Sequence, residues 1–153
     1  MSLSLFEFVD KINEILPLFQ REFARQLTRE FFKFRITLPQ FLILMILDKE
    51  GESKMSSLAR LMNVSTAAMT GSVARLVSSG FVLRLDDPRD RRIIRVKLTS
   101  KGAQLVDKLK QQRREMIVNL FQDISGEDRV HYLKILTLIK DKLIMQEKRR
   151  KEK

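Results

Sequence analysis

The stretch DDPRDRRIIRVKLTSKG at residues 86–102 sets three carboxylates and four arginines around one proline, then passes into alternating apolar and basic residues. Clustered guanidinium groups are anion-binding chemistry, suited to phosphate above all. Two readings fit residues of this type at this spacing. One is a solvated charged turn, and the other is a basic finger that enters something negatively charged. The elements that carry the stretch decide between them.

The charge of the chain favours the finger. Thirty Lys and Arg against nineteen Asp and Glu give a formal net charge of +11 and a pI near 10.3. An excess this large points to a polyanion, either nucleic acid or an anionic membrane surface, since solubility alone needs less. The C-terminal KRRKEK is weaker evidence, because such a tail is usually a frayed, solvated helix end. With no cysteine in the chain, disulfides, thiolate zinc sites and thiol redox sensing are excluded. The single His131 cannot build a multi-histidine metal site, so no metal or cofactor is expected. No apolar run approaches the length that spans a bilayer, the longest being residues 41–47. Glu7, Asp10 and Glu14 interrupt the apolar residues at the N-terminus, which removes a signal-peptide pattern. A cytoplasmic protein with no membrane partner is the simplest reading. The chain has no phosphate-binding glycine loop, no histidine-based dyad and no clustered carboxylates in a pocket-like context, so it is not expected to be an enzyme.

Helix signals dominate the elements that must position the finger. Residues 4–34 carry Phe8, Ile12, Ile15, Phe19, Phe23, Leu27 and Phe31 at helical spacing, and Pro17 predicts a kink or a break in that run. In T-L-P-Q, Thr37 is an N-cap, Pro39 sits early in the first turn and Gln40 takes the capping-box position. That helix runs to about Lys49 and ends at Gly51. A short helix follows, with Ser56 as cap and Leu58, Ala59, Leu61 and Met62 as body. Asn63 and Val64 make the turn, Ser65 caps a further helix ending near Ser79, and Gly80 follows it. Two helices joined by so short a turn are a helix-turn-helix signal, although helical hairpins in general look similar. Residues 81–85 and 93–98 then read as strands around a DDPRDR turn, with Ile94, Val96 and Leu98 on a packed face and Arg95 and Lys97 on a basic one. Thr99 caps a helix from Ser100 to about Phe121, and Ser125 caps the last helix. That helix carries two apolar stripes, Val130, Leu133, Leu136, Ile139 and Leu143 on one side and Tyr132, Ile135, Leu138 and Met145 on the other. A helix packed on one side of a small monomer needs one stripe, so the terminal helices are expected to face a partner chain as well.

LARLMNVSTAAMTGSVARLVSSGFVLR followed by DDPRDRRIIRVKLTSKG resembles the MarR-type (multiple antibiotic resistance regulator) transcription regulators. The D-x-R signature of that family's wing falls on Asp90 and Arg92, and its L-T-x-x-G on Leu98, Thr99 and Gly102. The resemblance covers essentially the whole chain, most sharply residues 37–102. It implies a mainly α fold with a small β-hairpin wing, namely a winged helix-turn-helix with N- and C-terminal dimerisation helices. The implied division is 1–35 for dimerisation, 36–100 for DNA binding and 101–153 for dimerisation. It further implies a homodimer that binds pseudo-palindromic operators in double-stranded DNA, a repressor released by a small aromatic or phenolic ligand. The ligand site is not readable from the residues. The F-F-K-F-R run at 31–35 is an aromatic cluster of the kind more often found in a core.

The residues themselves support a DNA interface. With Met69, Val73, Leu76 and Val77 turned inward, the second helix of the pair shows Ser65, Thr66, Ala67, Thr70, Gly71 and Ala74. Side chains this small let a helix lie deep in the major groove. Arg75, one turn beyond Gly71, is within reach of a phosphate or of Asp90. Gly71 stands where family members often carry a basic or long polar residue, so direct base readout is expected to be weak and recognition to lean on the wing and on DNA shape. A mid-helix glycine costs roughly 1 kcal/mol, which close approach of the backbone to DNA or to another helix would offset. On the wing, Arg89 beside Pro88 is the first choice for minor-groove insertion and Arg91 the next. Asp90 and Arg92 are expected to brace the hairpin. Two other functions stay open, a low-specificity architectural DNA-binding protein, which Gly71 permits, and a winged-helix protein-interaction module. The second has no use for Arg89, Arg91 and a basic strand face together.

Overall fold

Where a helix starts is decided by which side chain takes the amides its first turn leaves unpaired. Residues 3–90 and 92–151 are described by a computed structural model of the chain. Their elements run α1 (Leu5–Phe34), α2 (Leu38–Glu50), β1 (Glu52–Lys54), α3 (Met55–Leu61), α4 (Thr66–Ser78), β2 (Val82–Asp86), β3 (Ile94–Leu98), α5 (Ser100–Phe121) and α6 (Gly126–Lys151). The chain packs as two units, Met1–Leu109 and Lys110–Lys153, with the boundary inside α5.

In the first unit, Ser4 and Glu7 form a capping box and α1 runs unbroken for 30 residues through Pro17. The apolar residues keep helical phase across the proline, so one continuous helix satisfies the pattern and the break allowed for by Pro17 does not occur. Thr37 and Gln40 close the expected capping box on α2, the Thr37 amide donating to Gln40 Oε1 at 2.9 Å. Gly51, at φ 78°, ends α2. Ser56 is not the cap of α3. That helix begins two residues earlier than a Ser56 cap would give, at Met55, with Lys54 before it and no side-chain cap, because Met55 is itself needed in the core. Met62 closes the helix rather than lying in its body. Asn63 adopts the left-handed conformation, φ 51°, that the tight turn into α4 requires.

Ile43, Leu44 and Leu47 of α2, Leu58 of α3 and Met69, Val73 and Leu76 of α4 meet Val82, Val96 and Val106 in one core. Each fully buried aliphatic side chain there contributes about 1.5–3 kcal/mol. The sheet order is β1-β3-β2, antiparallel throughout. The small strand β1, which the residue pattern did not announce, pairs Glu52 with Lys97 and Lys54 with Arg95.

The end of the hairpin is locked to the end of α4. Thr99 Oγ1 donates to the Gly80 carbonyl at 2.7 Å and accepts from the Gly102 amide at 3.0 Å, so one hydroxyl caps α5 and fastens it to the preceding helix. Lys101 Nζ donates to the Ser79 carbonyl at 2.8 Å and lies 4.9 Å from the centre of the Phe81 ring. Gly102 is buried directly beneath the Phe81 carbonyl.

The second unit contains the rest of α5 and α6. Ser125 caps α6 by accepting from the Asp128 amide at 3.0 Å, and the Phe121 and Tyr132 rings meet with centres 5.2 Å apart and planes tilted by 41°. Every residue from 126 to 150 is exposed in the single chain, including both apolar stripes. No residue of α1 is buried. No helix among the described residues is long and apolar enough to cross a membrane.

A Cβ added at Gly102 would lie 2.0 Å from the Phe81 carbonyl oxygen and 2.9 Å from its carbon, both backbone atoms with little freedom to yield. Gly102→Ala should therefore destabilise the fold by about 1–3 kcal/mol, the usual scale of overpacking. Thermal melting checks this, and an unchanged midpoint would contradict the close approach.

Candidate nucleic-acid interface

Ser65 begins the exposed helix, its hydroxyl accepting from the Ala68 amide at 3.2 Å. Met69, Val73 and Leu76 face the core and are at most 1% exposed. Thr66, Ala67, Thr70, Gly71, Ala74 and Arg75 are exposed on α4, as is Ser65 at its cap. Ala67, Gly71 and Ser78 lie furthest from the core, on the outer ridge that a helix of 3.6 residues per turn presents opposite its buried stripe, with Ala74 and Arg75 flanking them. Val77 does not turn inward as the pattern suggested. It sits at the stripe's edge, roughly 70° from its centre at 3.6 residues per turn, and is 39% exposed.

The wing carries Arg89, Asp90 and Arg92 at its exposed turn, while Arg91 lies outside the described residues. Asp90 braces the turn through the backbone: its Oδ1 accepts from the Arg92 amide at 2.9 Å and its carbonyl from the Ile93 amide. No hydrogen bond or ion pair joins it to Arg75 among the described residues.

The ionic brace belongs to residues that the sequence pattern passed over. Asp87 is buried, with Oδ1 accepting from the Arg89 amide at 2.9 Å and Oδ2 lying 2.6 Å from the Arg95 guanidinium. Arg95 reaches Glu52 with its other side at 2.9 Å. It is therefore not part of an open basic face. The register explains the arrangement. Arg95 opposes Leu85 and Lys54, so a carboxylate two residues beyond either partner is its diagonal neighbour on the same face. Asp87 was recoverable from the hairpin register alone, whereas Glu52 required knowledge of β1. The hydrogen bonds from Arg89 and then Arg95 hold the Asp87 carboxyl below the usual carboxylate range, against a smaller opposing effect of burial, and the same pairing raises Arg95.

The hairpin and α4 are joined by Arg84, whose guanidinium donates to the Thr70 carbonyl at 3.1 Å. A helix of small exposed side chains and a cation-tipped turn are thus built on one core and fastened together. Such an arrangement can lay the helix in a DNA major groove and the turn in the adjacent minor groove.

Comparison with known proteins gives the same architecture. The MarR family model matches residues 36–94. The uncharacterized HTH-type transcriptional regulator YhbI of Bacillus subtilis is 30% identical over 103 residues, which cover 67% of this chain and 66% of that protein, a little under two thirds. The multiple antibiotic resistance protein MarR of Salmonella typhimurium is 30% identical over 125 residues, covering 74% of this chain and 87% of its own. The crystallised S. aureus MepR–DNA complex has the same fold at 20% identity and a TM-score of 0.71, over 86% of this chain and 98% of that one.

Because folding lowers the Asp87 pKa, its ionised pairing supports the wing above the unfolded value of about 4 and is lost as pH falls through the folded value below it. Asp87→Asn keeps an acceptor for the Arg89 amide but removes the charge that holds Arg95. NMR of the Arg95 Nε–H and the wing amides should show a loosened wing in that variant at neutral pH, and in the wild type only in acid. Affinity for duplex DNA should drop about tenfold in the variant, the scale of one displaced arginine contact. A wing indifferent to both changes would remove Asp87 from the brace.

Proposed function

We propose that this chain, which belongs to the MarR family of DNA-binding transcription regulators, acts as a homodimer that recognises pseudo-palindromic operators in double-stranded DNA. One observation carries the reading: the small-residue face of α4 and the Arg89-bearing wing are both exposed and both seated on the same core. In this assignment Ser65, Thr66, Thr70 and Arg75 contact phosphates or base edges, and Ala67 meets a thymine methyl in the major groove. Gly71 lets the helix backbone approach. Arg89 enters the minor groove, with Arg91 beside it, and Asp90 and Arg92 shape the turn that presents them. Residues 36–100 form the DNA-binding part, and the helices of 1–35 and 101–153 supply dimerisation. Repression relieved by a small aromatic or phenolic ligand is supported by the family resemblance alone. Phe31 and Phe34 of the aromatic run pack against the core, with Phe31 and Phe41 rings 5.3 Å apart.

Surface chemistry supports the dimer. Leu133, Leu136 and Ile139 are 64%, 42% and 50% exposed in the single chain, and Phe6 on α1 is 83% exposed. Apolar area on this scale in a soluble protein marks an association surface. The low-specificity architectural reading is favoured by one feature, the lack of long polar side chains on the outer ridge of α4. It predicts equal affinity for random duplexes and for those selected from a pool.

Sedimentation at micromolar concentration should give a species of twice the 18.0 kDa chain mass, and a lone 18.0 kDa species would sink the dimer. DNA binding should weaken steeply with salt, with a log–log slope beyond about −5 for a dimer that neutralises roughly 6–10 phosphates. Arg89→Ala should shift stability by no more than about 0.5 kcal/mol, as exposed substitutions do. It should weaken binding by about 1–3 kcal/mol per half-site. Unchanged affinity would return the turn to a solvated loop.

A further inference from the structure

Gly71 has no reason within the chain to be glycine. Its φ lies outside the left-handed region, since the glycines with positive φ are Gly51 and Gly80. Beyond its chain neighbours and the backbone of α4 itself, no atom lies within 4 Å of where its Cβ would stand. It occupies the interior of α4 rather than an end, where alanine would strengthen the helix. The contrast with Gly102, crowded by a backbone carbonyl, is complete. Whatever requires the missing side chain lies outside this chain.

A second observation marks the same spot. The carbonyl that accepts from Arg84 belongs to Thr70, so it is part of the peptide that joins Thr70 to Gly71. Arg84 comes from β2, is exposed, and has that carbonyl as its one hydrogen-bond acceptor among the described residues. Guanidinium carries five N–H donors, so most of its capacity remains available while its position is fixed. A neutral carbonyl leaves its charge uncompensated, which distinguishes Arg84 from Arg95, paired with two carboxylates.

We propose that Gly71 and Arg84 together seat one strand of duplex DNA. The bare backbone at Gly71 lets α4 come closer to the duplex than any side chain would allow, and the anchored Arg84 takes a phosphate of the strand that passes there. This deepens the DNA-binding reading and rests on it. Arg84 thereby acts as a positioning contact that ties wing and helix to one backbone, while Ala67 and Ala74 leave the approach open.

The test uses the full-length protein and a labelled random-sequence duplex of about 30 base pairs, roughly three helical turns. Gly71→Ala should melt roughly 2–4 °C higher than the wild type, from its gain in helix propensity, yet bind DNA at least tenfold more weakly. Arg84→Gln should bind more weakly and lower the log–log salt slope by about one for each protomer. Arg84→Lys, which keeps the charge without the fork, should hold the slope. A Gly71→Ala protein that binds as tightly as the wild type overturns the seat, as does an Arg84→Gln protein that folds with an unchanged slope. Should Arg84→Gln fail to fold, Gly71→Ala and Arg84→Lys decide the matter. A wild-type protein that shows no salt-sensitive binding to the duplex defeats the DNA-binding reading itself, and this proposal with it.

Discussion

The seat of α5 against the end of α4 is the constraint on which the exposed surface of α4 and the wing depends. Gly80 ends α4 with a left-handed turn, Phe81 enters the core, and the chain travels out along β2 and back along β3 to arrive at Thr99 beside Gly80 again. The wing is therefore a loop pinned at its base by one hydroxyl, one ammonium and one glycine that tolerates the Phe81 carbonyl. Were that base to open, α4 and the wing would lose their common reference. The order of the tip is secured separately, by Asp87, Arg95 and Glu52.

The two regions of α4 obey opposite rules. Toward the core, Met69, Val73 and Leu76 are chosen for volume, and each is held by neighbours on several elements. Toward solvent, side chains are chosen for what they leave out. Of the outward residues Gly71 alone lowers helix propensity markedly, since Ala67 and Ala74 are strong helix formers. A helix so arranged is stabilised by its tertiary packing rather than by its own composition.

Most of the fold was legible because its signals are local. Thr37 with Gln40, Ser65, Gly80, Thr99 and Ser125 each act within a few residues, and each took the role its spacing implied. The errors came where distant packing overrode local preference. Ser56 looks like a cap, but burial of Met55 draws the helix start forward. Pro17 left a kink or a break open, and α1 runs on through it as one helix. β1 is three residues long with no apolar alternation, and it exists because β3 offers an open edge. The exposed face of α4 and the cationic tip of the wing were readable as surfaces. The Asp87 brace was within reach of the hairpin register, whereas the Glu52 partner depends on β1 lying beside β3 and the Arg84 link on β2 lying against α4.

That open edge has a further consequence, for the order in which the molecule assembles. Asp86 and Ile94 pair across a short turn, whereas Lys54 must find Arg95 from the far side of α3, α4 and the first hairpin strand. The longer closure spans about five times the chain length and costs about 1.4 kcal/mol more in loop entropy. The hairpin is therefore the cheaper closure, and β1 gains most from pairing with it once the helices between have drawn the two together. Glu52 comes with β1, so the complete ionic clasp on Arg95 needs the chain on both sides of the helix-turn-helix to be in place.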